Sequence, residues 1–165
     1  MKRAFSPVFS PGRCLRRFFA LLALSGAVFF FPSAPEACAG QRPMTIDSDL
    51  VIPLKDMSPI AIFYPVQIDG NIAEFFAVKA PDNTIRVVVN ACQACGPAGF
   101  TQERDNFVCS ACGQKFHVST VERRKGGCNP IPVGDNNKKI GPDSITLELK
   151  FLRMVTTSRF AKKKS

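Results

Sequence analysis

Ile60-Ala-Ile-Phe-Tyr-Pro-Val-Gln-Ile68 and Ile72-Ala-Glu-Phe-Phe-Ala-Val-Lys79 are two apolar runs that stand on either side of Asp69-Gly70-Asn71. Both runs are rich in β-branched and aromatic residues, which favour strands. Asp-Gly between two such runs is a strong hairpin signal, because the tight turn needs positive φ angles. The sequence therefore predicts two antiparallel strands joined by a short turn.

Further strands are predicted on both sides of this hairpin. A Pro-Asp-Asn turn at residues 81–83 is followed by Ile85–Val89, which would complete a meander. A short strand is expected at Leu50–Leu54. Ile145–Phe151 alternates apolar and polar residues, which indicates a half-buried strand. No stretch after residue 39 has a convincing helical period, so the fold class is predicted as mainly β.

The segment 90–132 is rich in Gly, Cys and Pro and short of strand runs, which predicts loops held by something other than a hydrophobic core. Four of the seven cysteines lie there with the spacing C-x2-C-x13-C-x2-C: Cys92, Cys95, Cys109 and Cys112. Two Cys in one tight turn direct their sulfurs to the same place, and two such turns facing each other supply four thiolates. This spacing predicts a metal site.

Gly96 and Gly113 follow the two cysteine pairs directly. Glycine permits a positive φ, so backbone N–H groups can point at the sulfurs and stabilise their negative charge. Two disulfides are the alternative, but a C-x2-C disulfide closes a very short loop and contributes little chain-entropy stabilisation. Zinc and iron–sulfur centres both accept four thiolates, and spacing alone favours zinc.

Cys128 and His117 are the two residues whose roles the pattern leaves open. Cys128 stands between two glycines and Asn129-Pro130, which suggests a tight turn near the site. It is a metal ligand that replaces one of the four, a gate beside the cluster, or an isolated buried thiol. His117 follows Phe116 in a predicted strand, where alternation places it on the opposite face. We expect a surface or hydrogen-bonded histidine rather than a ligand.

The first 39 residues have the three parts of an export signal. A basic region ends at Arg17, a 14-residue apolar run covers Phe18–Phe31, and Ala37-Cys38-Ala39 is a small-x-small cleavage site. A 14-residue helix is about 21 Å long, whereas the hydrocarbon core is about 30 Å thick, so cleavage is favoured over an uncleaved anchor. Arg16-Arg17-Phe18-Phe19 is either a twin-arginine motif for export of a folded cofactor protein or an ordinary basic flank.

The charge of the chain is concentrated at its ends. Its formal net charge is +9, and four thiolates bound to a metal would lower the charge of the body further. The basic residues at 159–164 are interpreted first as a solvated, frayed end, with contact to anionic lipid or an acidic redox partner as the alternative. Arg123-Arg124-Lys125 is most simply a solvated turn, and a docking role beside the cysteine loops is a hypothesis.

The cysteine segment resembles that of Rieske iron–sulfur proteins, in which two loops of a β-sandwich each carry one Cys and one His ligand. Cys109-Ser-Ala-Cys112-Gly113-Gln-Lys-Phe116 has the frame of the second Rieske loop, with Cys112 in place of His. Cys95 likewise replaces the first His. This resemblance implies a Rieske-like β-sandwich with two metal-binding CxxC loops, which Asn129-Pro-Ile-Pro132 would cover.

A closer resemblance is to the membrane iron–sulfur family called FtrD-like, over about residues 58–152. The matching residues are Phe76-Ala-Val-Lys79, Cys92, Cys95, Gly99-Phe100, Val108-Cys109, Cys112-Gly113, Phe116 and Gly127-Cys128-Asn129-Pro130-Ile-Pro132. The resemblance implies an iron–sulfur cluster held by cysteines and a part in redox steps of envelope metal handling, including ferrous-iron uptake. The predicted organisation is an export segment (1–39), a lead-in (40–57), an FtrD-like β domain (58–157) and a basic tail (158–165).

Three functions are compatible with these residues. The first is electron transfer in the bacterial envelope, with a membrane redox or metal-transport protein as the partner. The second is a structural zinc module, and the third is metal delivery through a labile site that includes Cys128. The sequence contains no glycine-rich phosphate loop and no defensible Ser/His/Asp set, so we expect a carrier rather than an enzyme, and no nucleic-acid partner.

Overall fold

The computed structural model describes residues 42–162, which form eleven strands and one α-helix. The strands are β1 (Met44–Thr45), β2 (Leu50–Pro53), β3 (Ile62–Ile68), β4 (Asn71–Lys79), β5 (Ile85–Cys92), β6 (Phe100–Glu103), β7 (Asn106–Cys109), β8 (Lys115–His117), β9 (Pro130–Pro132), β10 (Lys138–Ile140) and β11 (Ser144–Leu147). The helix is α1 (Leu149–Thr156). The mainly β class is confirmed, whereas the predicted export segment lies outside the described residues.

The predicted hairpin and meander are confirmed. Asp69 and Gly70 have φ values of 50° and 81°, and Ile68 lies opposite Asn71 in the antiparallel pair β3–β4. Two consecutive positive φ angles twist the turn to match the strands, which is why Asp-Gly is favoured there. Strand β5 pairs antiparallel with β4, β9 with β5, and β1 runs parallel to β3. The result is a five-stranded central sheet in the order β1-β3-β4-β5-β9.

Both faces of the central sheet are covered. Along β4, Phe75 and Ala77 point to one face while Phe76 and Val78 point to the other, as expected of alternating strand residues. The first face packs against the sheet β10-β11-β2 and α1 around a largely aliphatic core, here called the scaffold core. Its members from outside the central sheet include Leu50, Ile52, Ile145, Leu147, Phe151, Leu152 and Val155.

The second face packs against the sheet β6-β7-β8, around what we call the cysteine core. The prediction that residues 90–132 are loops without a hydrophobic core is therefore wrong. Phe100, Phe107 and Phe116 are buried there, one from each of the three strands. These strands have only three or four residues, too few for a periodic pattern to be visible in the sequence. The three sheets establish the mainly β class, and the Rieske-like sandwich stays a prediction.

The strand predicted at Ile145–Phe151 ends earlier, at Leu147, and α1 follows it. The helix buries Phe151, Leu152 and Val155 on one face, since Val155 follows the other two by four and three residues, about one helical turn. Its first residues extend the two-residue alternation of β11 by coincidence, which explains the error. The backbone N–H of Leu149 donates to Asp49 Oδ1 at 2.8 Å, so a residue 100 positions away satisfies a group at the start of the helix.

The two ends of the described chain are attached to the domain. The lead-in supplies β2, which confirms the strand predicted near Leu50. The basic tail is not frayed as far as Lys162, because the N–H of that residue donates to the Ile72 carbonyl at 2.8 Å and its ammonium lies 2.8 Å from Glu74. Within residues 42–162, no helix combines the length and apolar character needed to cross a membrane.

Candidate metal centre

The first CxxC turn begins at the last residue of β5. Cys92 and Gly96 exchange two backbone hydrogen bonds, of 2.8 and 2.9 Å, which close the turn. Gly96 has a φ of 86°, so glycine is needed there as predicted. The backbone N–H of Cys95 donates to Cys92 Sγ at 3.3 Å, which holds the two cysteines of the turn together.

The second CxxC turn joins β7 to β8 and has a similar construction. The Cys109 N–H donates to the Gln114 carbonyl at 3.0 Å, and the Gly113 N–H donates to the Cys109 carbonyl at 2.9 Å. Burial alone would raise the pKa of the Cys109 thiol, but backbone N–H groups of Ala111 and Cys112, with neighbouring sulfurs, lower it to about 7. Cys109 therefore loses its proton more readily than an ordinary cysteine, and the thiolate is the form that binds metal.

The five cysteines of the domain are gathered at one place. The sulfurs of Cys92, Cys95, Cys109 and Cys128 all lie within 4.8 Å of one another. Cys112 is outside this mutually close set, but its Sγ lies 3.2 Å from Cys128 Sγ. The structure therefore brings together all five predicted site cysteines, including Cys128, although they come from three separate turns.

Gln93, which sequence reasoning did not identify, holds the Cys128 turn beside the first CxxC turn. Its side-chain carbonyl accepts from the Gly126 N–H at 2.8 Å, and its side-chain amide donates to the Pro130 carbonyl at 3.0 Å. Its backbone N–H donates to the Asn129 carbonyl at 3.0 Å. Three hydrogen bonds of Gln93 thus fix the position of Cys128. The only sequence signal for this role is that Gln93 lies between Cys92 and Cys95.

Asn90 is a second positioning residue that the sequence did not reveal. It is buried at the end of β5, where its side-chain oxygen accepts from the Phe100 N–H at 2.7 Å and its amide donates to Glu74 at 2.6 Å. Gly99 lies so close that a Cβ there would stand 3.0 Å from Asn90 atoms. Asn90 therefore connects the central sheet to the start of β6.

The sulfurs differ in their access to solvent. Cys92 and Cys109 are buried, Cys128 is half-buried, and Cys95 and Cys112 are exposed. The sulfurs of Cys112 and Cys92 raise the pKa of Cys95 to about 12, and burial together with Cys112 raises the pKa of Cys128 as well. Without a cation, the crowded sulfurs therefore favour protons on these two thiols.

The donor set fits a thiolate-bound metal centre. Thiolates at about 2.3 Å from a tetrahedral ion are separated by about 3.8 Å, so four sulfurs within 4.8 Å suit a single ion without rearrangement. An iron–sulfur cluster carries sulfide between its irons and needs more widely spaced thiolates. To reach that spacing, the turns of Cys95 and Cys112, the two exposed cysteines, would have to move toward solvent.

A layer of phenylalanine rings separates the buried side of the centre from solvent. Phe107 stacks on Phe76 with 4.6 Å between ring centroids and on Phe116 with 5.7 Å. Phe100 meets Phe116 edge to face at 5.2 Å. Cys92 and Cys109 belong to the same buried cluster. One side of the site is consequently dry, and the other side, which carries Cys95 and Cys112, faces solvent.

His117 is not part of the site, as predicted. It is exposed, and its Nδ1 lies 2.8 Å from Ser119 Oγ. Its side chain and that of Phe116 are on opposite faces of β8, because Phe116 is buried. The sequence expectation of a surface, hydrogen-bonded histidine is confirmed.

Three exposed basic residues belong to segments that contact or precede the cysteine turns. Arg159 donates to the Gln93 carbonyl at 3.4 Å, and Arg124 and Lys125 come directly before Gly126. We call Arg124, Lys125 and Arg159 the cationic rim. All three are exposed, and within residues 42–162 none of them has a carboxylate within 4.0 Å. The segments 83–102, 106–121 and 123–134 contain no Asp or Glu.

Comparison with known proteins identifies one family. A family model described as "Membrane iron-sulfur containing protein FtrD-like" matches residues 57–159. No curated protein and no solved structure matches the chain significantly. The match includes all five cysteines of the centre and the strands β5 to β9, which position them.

Proposed function

The chain belongs to the FtrD-like family of membrane iron-sulfur containing proteins, and from this premise we propose that it is an exported electron carrier of the bacterial cell envelope. The observation that carries the proposal is the convergence of five cysteine sulfurs at the rim of a β domain, two of them buried and two exposed. Thiolate sulfur is the donor that iron–sulfur centres use.

An iron–sulfur cluster held here would supply a single electron reversibly, taking it from a reduced donor and giving it to an oxidised acceptor. Residues on the buried side and on the exposed side of the site both support electron transfer. The buried cysteines and the phenylalanine layer exclude water, which limits hydrolysis of the site and influences the reduction potential. The exposed Cys95 offers a short route for electrons to a docked partner.

Backbone N–H groups supply the fixed polarity of the site. Cys92 Sγ accepts from the Cys95 N–H, and the N–H groups of Ala111 and Cys112 stabilise the Cys109 thiolate. Hydrogen bonds to cluster sulfurs are among the factors that set reduction potentials. Four thiolates carry more negative charge than two thiolates and two imidazoles, so we expect a lower potential than that of a Rieske centre.

The cationic rim favours a partner with an acidic surface. Arg159 contacts the first CxxC turn through the Gln93 carbonyl, and Arg124 and Lys125 precede the Cys128 turn along the chain. Charge complementarity between such residues and a partner accelerates encounter and orients the partner. Large exposed apolar side chains, which insertion into a membrane would require, do not occur in residues 90–133. We therefore propose a redox or metal-transport protein of the membrane with an acidic docking face as the partner.

Export and domain boundaries belong to the same proposal. The basic, apolar and small-x-small parts of residues 1–39 support export, and the family description supports a membrane setting. In this proposal residues 40–57 lead into a domain at 58–157, and a basic tail follows at 158–165. Membrane contact would come from the N-terminal segment or from the last lysines of the tail.

A structural zinc module is the second candidate, because one observation favours it. Four sulfurs within 4.8 Å already have the spacing of a single tetrahedral ion. In that case the cysteines would only hold the turns that form a binding surface. A fifth sulfur and two exposed cysteines are less expected of a closed structural site.

Anaerobic purification of the full chain tests the proposal. We expect a coloured protein with several irons and acid-labile sulfides, and an electron paramagnetic resonance signal in one oxidation state. The Cys92→Ser variant should lose this absorption, whereas His117→Ala should keep it, because that exposed side chain is outside the site. A colourless protein with one tightly bound zinc would establish the structural module instead, and metal that a weak chelator removes quickly would favour metal delivery.

A further inference from the structure

The centre contains one sulfur more than a four-thiolate site requires. A tetrahedral zinc takes four ligands, and so do the iron–sulfur clusters that cysteines alone hold. Five cysteines converge here, so one of them is left over. The spacing C-x2-C-x13-C-x2-C would leave Cys128 as the extra residue, whereas the set of mutually close sulfurs includes Cys128 and leaves out Cys112.

We infer that Cys92, Cys95, Cys109 and Cys128 hold the metal centre, and that Cys112 is a reserve thiol that forms a disulfide with Cys128 while the site is empty. The four ligands are the set whose sulfurs all lie within 4.8 Å of one another. Cys112 does not belong to that set and is exposed to solvent. The inference rests on the proposed function only to the extent that the site holds a four-thiolate centre.

Cys112 is the most suitable partner for Cys128. The two Sγ atoms are 3.2 Å apart, and the exposed Cys112 can be reached by a small oxidant. Cys92 Sγ is also close to Cys128, at 3.4 Å, but Cys92 is fully buried and its sulfur accepts the N–H of Cys95. Gly113 follows Cys112 directly and has open space where a Cβ would stand, so Cys112 can move toward Cys128, whose turn the Gln93 hydrogen bonds hold in place.

The chemistry is a thiol–disulfide exchange. In the empty site, a small disulfide such as oxidised glutathione accepts two electrons, and its sulfur–sulfur bond breaks to give two thiols. A bond forms between Cys112 Sγ and Cys128 Sγ, and their two protons pass to the glutathione thiols. Exported proteins meet such oxidants, so the disulfide would protect Cys128 from irreversible oxidation until a thiol reductant reverses the reaction and the centre is loaded.

Disulfide mapping tests the pairing directly. The full chain is stripped of metal under anaerobic conditions, treated with oxidised glutathione, alkylated and digested for mass spectrometry. We expect the Cys112–Cys128 pair to be the predominant crosslinked peptide. Predominance of Cys92–Cys95 or of Cys109–Cys112 would overturn the inference, and so would free thiols at both Cys112 and Cys128.

Two matched variants test the ligand assignment. Cys95→Ser and Cys112→Ser each remove the exposed cysteine of one CxxC turn. After anaerobic loading with iron and sulfide, or with zinc alone, Cys112→Ser should retain its metal within about twofold of the unmodified chain, whereas Cys95→Ser should lose about tenfold or more. Equal losses would make Cys112 a ligand and overturn the assignment. Circular dichroism of both variants separates loss of metal from loss of fold.

Loading without prior reduction gives a third readout. The unmodified chain, once oxidised, should take up about tenfold less metal than after treatment with a thiol reductant, whereas Cys112→Ser should show little difference. An equal dependence on reductant in both proteins would contradict the reserve role. A chain that binds zinc but no iron would defeat the proposed electron carrier and leave this inference intact, and a chain that binds neither would defeat both.

Discussion

The two faces of the central sheet are held by different chemistry. The scaffold core is mostly aliphatic and joins long strands of the meander to β2, β11 and α1. The cysteine core joins three strands of three or four residues through phenylalanine rings and two buried cysteines. Burial of apolar area can stabilise the first face by itself. The second face has less regular structure for its size, and we infer that the metal completes it.

Removal of the metal should give the largest difference in stability between the cysteine core and the scaffold core. Structural zinc contributes about 10–16 kcal/mol in small metal-dependent domains, so loss of a thiolate-bound metal should loosen the cysteine core. By hydrogen exchange, we expect amides of β7 and β8 to lose about 100-fold protection after chelation, and those of β4 less than about tenfold.

Two outcomes of the hydrogen-exchange experiment would contradict separate stabilisation of the two cores. Equal loss of protection in β4 and β7 would mean that the two cores unfold as one unit. Unchanged protection in β7 would mean that the phenylalanine rings hold the cysteine core without metal. A chain that was mixed with chelator and then reloaded with metal serves as the control for damage by the treatment.

A matched pair of phenylalanine variants gives the next largest effect. Phe75 in the scaffold core and Phe107 in the cysteine core are both fully buried, and a Phe→Ala change at such sites costs about 3–5 kcal/mol. Phe75→Ala should lower the unfolding midpoint with and without metal. Phe107→Ala should in addition weaken metal retention, because its ring packs on Phe76 and Phe116 in the buried cluster that contains Cys92 and Cys109.

Denaturant unfolding and metal content of both variants make this measurement. If Phe107→Ala lowered global stability as much as Phe75→Ala and kept its metal, the two cores would not be separable. If Phe75→Ala lost its metal at full global stability, the assignment of the two faces would be reversed.

Sequence reasoning succeeded where neighbouring residues determine the structure. The Asp69-Gly70 turn and both CxxC turns are local features, and each was confirmed with the expected positive φ angles. It failed at α1, whose first N–H is satisfied by Asp49 from across the fold. The sheet β6-β7-β8 was missed because strands this short are recognisable only by what they pack against. The positions of Cys128 and Gln93 depend on contacts between distant turns.

Asn90 connects the two faces, and its removal should have an intermediate effect. Its side chain bonds the Phe100 backbone and Glu74 in a buried position, so Asn90→Ala should cost about 1–3 kcal/mol by leaving these groups unsatisfied. Asn106 is exposed at the start of β7, and no hydrogen bond of its side chain occurs within the described residues. Asn106→Ala is therefore the control, with an expected change within about 0.5 kcal/mol.

Hydrogen exchange shows whether Asn90 connects the central sheet to β6. Protection in β6 should fall more than protection in β4 when Asn90 is replaced, because β6 begins at Phe100. A uniform decrease throughout the domain would assign Asn90 to general stability. An effect no larger than that of Asn106→Ala would show that water replaces its hydrogen bonds at little cost.

The cationic rim should have the smallest effect on stability and a clear effect on electron transfer. Arg124→Gln with Lys125→Gln should change stability by less than about 0.5 kcal/mol, because both residues are exposed. With reduced flavodoxin as an acidic redox probe, the double variant should transfer electrons about fivefold to tenfold more slowly at low salt. Stopped-flow absorbance measures the rate.

The control variant removes the same charge from the scaffold side of the molecule. Lys55 and Lys150 are exposed, and neither has a carboxylate within 4.0 Å in the described part of the chain. Because screening acts within about 10 Å at 0.1 M salt, a local docking effect should vanish at high salt only for the rim variant. If both double variants slowed the reaction equally, net charge would be responsible, and the cysteine face would have no docking role of its own.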